Sequence, residues 1–77
     1  MIIFNCSEPG DKFATYYTYD TNQVTVSLLD EIETKLNEIG IEIVQFIQQG
    51  GSYPSILVRK REVILQPFQW PESFHIG

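Results

Sequence analysis

Seventy-seven residues with 43% hydrophobic and 13% aromatic side chains make one globular domain, 1–77, and exclude a disordered chain. The lone Cys6 excludes an internal disulfide, and a single cysteine and a single histidine at opposite ends of the chain argue against a zinc site. Ten acidic against five basic residues leave a net charge of −5, which argues against direct nucleic-acid binding and against adhesion to an anionic membrane.

The charge is uneven, because Met1 to Val58 carries eight acids and two lysines, whereas the remainder has a slight basic excess. A chain this short buries only about 60% of its unfolded surface, so its stability has to come from good packing or from a second subunit. The opening MIIFNCSEPGDK lacks the charged start and long apolar run of a secretory leader. No apolar run approaches the ~20 residues that span a bilayer. With one cysteine, the expectation is a cytoplasmic protein.

MIIFNC reads as a strand, and Pro9-Gly10 marks the turn after it. FATYYTY, Phe13 to Tyr19, alternates as a half-exposed strand should. Phe13, Thr15, Tyr17 and Tyr19 share one face; Ala14, Tyr16 and Thr18 share the other. Asp20-Thr21-Asn22 is turn chemistry, and Gln23 to Val26 reads as a short optional return strand.

SLLDEIETKLNEIG predicts a helix. Ser27 is the expected N-cap, and Leu28, Leu29, Ile32, Leu36 and Ile39 form one apolar stripe. Asp30, Glu31 and Glu33 fall in its first turns, where the helix dipole favours negative charge. Glu31 and Lys35 are spaced as an ion pair, and Gly40 ends the helix as a left-handed cap. IEIVQFIQQ follows as a strand with Ile41, Ile43 and Ile47 on one side and Val44 and Phe46 on the other. Gly50-Gly51 is a turn signal. The run 55–66 then reads either as a hairpin about Lys60-Arg61 or as one long strand.

The order is therefore β-β-(β)-α-β-β-β. It predicts an α+β fold, with one helix packed on a mainly antiparallel sheet of four or five strands. Residues 67–77 form an aromatic and proline-rich tail in which Phe68 and Trp70 share a face. Pro67 and Pro71 pre-order that backbone to lie along a surface, which is either the protein's own sheet or a partner.

No catalytic, cofactor or metal motif is legible. Asp30, Glu31, Glu33 and Glu38 read as a solvated helix flank, Cys6 as a small buried hydrophobe, and Arg59-Lys60-Arg61 as solubilising charge. The aromatics point elsewhere, since tyrosine and tryptophan combine large apolar area with a polar handle that suits protein interfaces. The expectation is a non-enzymatic small acidic protein that works through contact with a protein partner. Tyr16, Tyr17, Tyr19, Phe68 and Trp70 would anchor it, with Glu31, Glu33 and Glu38 supplying long-range charge. A homodimer through sheet edges or exchanged tails fits a marginal monomer. Two alternatives share this composition: an acidic inhibitor that fills the basic nucleic-acid groove of a target, as phage-type inhibitors of host defence do, and a small subunit of a larger assembly.

Overall fold

Alternation in FATYYT decides the centre of the sheet. Ala14, Tyr16 and Thr18 are buried on one side, while Phe13, Thr15 and Tyr17 remain wholly or partly exposed on the other. The computed structural model describes residues 1–48, 53–61 and 67–77. Within them run β1 (Ile2–Cys6), β2 (Phe13–Thr18), α1 (Val26–Glu38), β3 (Ile41–Ile47), β4 (Ser55–Lys60) and β5 (Ser73–Ile76). The five strands form one sheet in the order β3-β4-β2-β1-β5, with every pairing antiparallel. The helix lies on one face, so the expected α+β architecture holds.

The core between helix and sheet contains Phe4, Tyr16, Ile32, Leu36, Ile41, Ile56 and Val58, all fully buried. Leu28 and Leu29 pack at its margin, so the predicted stripe faces inward, except for Ile39, which is exposed at the helix end. The helix starts earlier than Ser27 implies. Thr25 is the N-cap, and its Oγ1 accepts from the Leu28 backbone N–H at 3.2 Å. That places Asp30 beyond the first turn, which contains no acid. Gly40 closes the other end with φ 82°, a conformation that costs a glycine little. Replacing Thr25 with alanine removes the cap acceptor. Urea unfolding should then register a loss of about 1 kcal/mol.

The optional strand at Gln23 to Val26 does not form. Val24 is buried instead, and its N–H is satisfied by the Gln48 side-chain carbonyl at 2.8 Å rather than by a neighbouring strand. The predicted facing of β3 also changes along its length. A register shift between Ile43 and Gln45 inserts Val44 as an extra residue. Beyond it the alternation inverts: Phe46 joins Ile41 and Ile43 against the core, and Ile47 turns outward. The Gly50-Gly51 turn and the second half of the predicted hairpin lie outside the described residues.

The tail returns to its own sheet. Residues 73–76 pair with β1, opposing Phe74 to Phe4 and His75 to Ile3. Phe74 stacks on Phe4 with ring centres 5.0 Å apart. Upstream, the Tyr16 hydroxyl donates to the Pro71 carbonyl at 2.6 Å, and the Trp70 indole N–H donates to the Gly10 carbonyl at 2.6 Å. No helix among the described residues is long and apolar enough to cross a membrane.

Candidate functional site

The helix covers one face of the sheet, and the other carries the exposed Phe13, Tyr19, Ile47 and Tyr53. Cross-strand register arranges this open face in rows. One row runs Ile47, Ser55, Tyr17, Asn5, Ser73 across all five strands. A second runs Gln45, Leu57, Thr15, and a third Glu42, Arg59, Phe13. At one end, Tyr17, Tyr19 and Tyr53 form a cluster of edge-to-face rings, with centroid distances of 4.9 Å and 5.6 Å. Such ring pairs contribute about 0.5–1.5 kcal/mol each beyond area burial. The Tyr19 hydroxyl donates to that of Tyr17 at 2.9 Å. This bond holds the Tyr19 phenol above its ordinary pKa, and partial desolvation and the neighbouring tyrosines push the same way.

Exposure on this face is substantial. Tyr19 is 59% exposed, Tyr53 55%, Phe13 42% and Ile47 38%. Isolated exposed apolar residues are ordinary, whereas several on one sheet face form a feature that calls for explanation. Charge on this face is paired, at the end of the sheet away from the tyrosine cluster. Glu42 and Arg59 lie opposite each other and form the one salt bridge among the described residues.

The sequence-predicted anchors divide between surface and core. Tyr17 and Tyr19 belong to the open face. Tyr16 does not: it is fully buried on the core side against Phe74, and burial pushes its phenol well above the ordinary pKa, with the adjacent Cys6 adding to the shift. Phe68 and Trp70 pack edge to face with centroids 4.9 Å apart, half-buried against the protein's own core, with the Lys60 ammonium 5.4 Å over the Phe68 ring. Tyr53, Leu57 and Ile47 complete the face without having been singled out. Tyr53 and Leu57 needed the pairing of β2 with β4 to be placed, and Ile47 needed the bulge.

Glu31, Glu33 and Glu38 are exposed on α1. Asp30, Glu31, Lys35 and Glu38 line a groove of about 490 Å³ between the helix and the end of β5. The Glu31–Lys35 pair does not form there; the Lys35 ammonium instead donates to the His75 carbonyl at 2.8 Å. The basic cluster is likewise dispersed, since Arg59 pairs with Glu42, Lys60 sits over Phe68, and Arg61 donates to the Asn37 side chain at 2.9 Å. Cys6 and His75 are not a couple. His75 lies opposite Ile3, whereas Cys6 is three residues further along β1 and on the other face. Among the described residues no three His, Cys, Asp or Glu side chains form a metal set.

The chain matches no known protein family, no curated protein and no solved structure at a significant level.

Proposed function

We propose that the protein acts without catalysis, by binding another protein chain through the open sheet face, in the reducing interior of the cell. The observation that carries this reading is the uncovered face itself, where Phe13, Tyr17, Tyr19, Ile47, Tyr53 and Leu57 stand on a rigid sheet. Rigid aromatic side chains lose little conformational freedom on binding, so such a face favours association. Phe68 and Trp70 support it indirectly by closing the core from which the sheet gains its rigidity.

A second reading, the acidic inhibitor of a basic target, is favoured by one observation. Lys35 is the only base on the helix, and its ammonium is engaged by the His75 carbonyl, beside Asp30, Glu31 and Glu38. Affinity purification from the source cell separates the two. On the first reading, a Tyr19→Lys/Tyr53→Lys variant loses the captured chain, and a Glu31→Gln/Glu33→Gln/Glu38→Gln variant keeps it. The inhibitor reading expects the reverse, with capture falling steeply as salt rises. If both variants retain the same capture as the parent, neither surface is the binding site.

A further inference from the structure

We infer that the occupant of the open sheet face is a second copy of this chain, joined face to face as a two-fold β-sandwich with both helices outside. This rests on the sheet face being the contact surface and names what covers it. Four observations lead there.

The first is charge. The molecule carries −5, yet Glu42 and Arg59, the acid and base that the register pairs on this face, neutralise each other. A basic partner would be drawn to the helix flank, where Asp30, Glu31, Glu33 and Glu38 lie. A neutral face instead suits a like-charged copy. Stacked sheets sit about 10 Å apart, and a helix layer of similar thickness lies on each outer side. The acidic helices of the two copies would then be roughly 30 Å apart, about three Debye lengths at 0.1 M salt.

The second is the state of the alternatives. Edge pairing and tail exchange are the other routes to a dimer, and the fold has used or blunted them. β3 carries a bulge at Val44. β5 is four residues long, and Lys35 reaches across to the His75 carbonyl. Bulged and very short edges resist edge-to-edge addition. The tail is paired with its own β1.

The third is shape. Along the row Ile47, Ser55, Tyr17, the small Ser55 stands between two large side chains, and the small Thr15 stands opposite Leu57 and two residues from Phe13. Large and small positions interdigitate when two such faces meet. Identically twisted sheets pack aligned at about −30°, and a two-fold contact presents the same patch from both sides.

The fourth is area. Five strands at ~4.8 Å spacing and about six residues of ~3.3 Å rise give a face of roughly 24 × 20 Å. Two faces therefore bury about 1,000 Å², the lower limit for a specific interface. The dimer is accordingly weak, with a dissociation constant on the order of micromolar.

Sedimentation velocity on the full chain, from about 5 to about 500 µM, tests this. The weight-average mass should climb from 8.9 kDa towards twice that value as concentration rises. Lowering salt to about 0.01 M should weaken the association, because the Debye length then reaches about 30 Å and the two acidic helices repel; above about 0.1 M salt should have little effect. Tyr19→Lys/Tyr53→Lys should shift the midpoint upward at least about tenfold. Gln45→Lys, at an exposed polar position on the same face, should do likewise without any risk to the core. A mass of 8.9 kDa throughout the range overturns the inference, as does a dimer that survives both variants with native far-ultraviolet circular dichroism. A parent that stays monomeric, while its Tyr19→Lys/Tyr53→Lys variant loses a different captured protein, also overturns it and leaves the docking face standing.

Discussion

Phe74→Ala should remove a large share of the protein's stability. The ring is only 6% exposed, stacks on Phe4 at 5.0 Å and meets Tyr16 at 5.2 Å. Truncating a buried phenylalanine costs about 3–5 kcal/mol. Domains are stable by about 0.05–0.15 kcal/mol per residue, about 4–12 kcal/mol for a chain of this size, so the loss is a large share of the whole. Thermal unfolding followed by circular dichroism should fall by at least about 12 °C, or lose its cooperative transition. His75→Ala, one residue along the same strand and exposed, is the control and should stay within about 0.5 kcal/mol of the parent. A chain stopped after Gln66 loses β5, the Trp70 and Pro71 contacts, and the cover over β1, and should not fold. A truncated chain with native helical signal and a sharp melt would show that the tail is dispensable to the core.

That the tail belongs to the core was half legible. Phe68, Trp70 and Phe74 are too apolar for a frayed end, and Pro67 and Pro71 stiffen the backbone so that it lies along a surface. Which surface was not written locally, because β5 is short and its partner, β1, lies some 70 residues away. The helix stripe and Gly40 were legible because 3.6-residue periodicity and left-handed capping are local signals. The bulge at Val44 was not. A bulge shifts register by one residue without changing composition, and it exchanged the faces of Phe46 and Ile47. The helix start moved for a related reason: Thr25 and Ser27 are both competent caps, and the burial of Val24 beside the core favours the earlier one.

The same logic explains the candidate site. Alternation alone grouped Phe13, Thr15, Tyr17 and Tyr19 on one face and Tyr16 on the other, but alternation does not say which face the helix will cover. The ring of Phe74 and the carbonyl of Pro71 meet Tyr16 on the core side, so this tyrosine became a core residue and its neighbours became surface. The residues that complete the face, Leu57, Ile47 and Tyr53, come from strands or turns brought alongside by long-range pairing. Sequence reasoning thus finds the strand that founds the open face and misses the strands that widen it.

Tyr16 links the two halves of the fold, and its hydroxyl should carry a distinctive alkaline signature. The phenol donates to the Pro71 carbonyl across 55 residues of chain. Tyr16→Phe keeps the ring in the core but leaves that partly buried carbonyl without its donor, so stability at neutral pH should drop by about 1–3 kcal/mol. Burial is the main reason the folded-state pKa stands well above the ordinary 10, with Cys6 reinforcing it. A raised folded-state pKa means that the native state holds its proton after the unfolded state has released it. The contribution is therefore complete below pH 10 and declines as pH rises past 10 towards the folded-state value. For one proton the slope is about 1.4 kcal/mol per pH unit. Urea titrations at intervals from pH 8 to the alkaline limit should show this decline in the parent and a shallower one in Tyr16→Phe. Cys6→Ala, which removes the reinforcing thiol and keeps the phenol buried, should retain most of the slope. Equal slopes in the parent and Tyr16→Phe would mean that the hydroxyl is solvated in the native state, and the tie between β2 and the tail would have to be sought in the aromatic contacts alone.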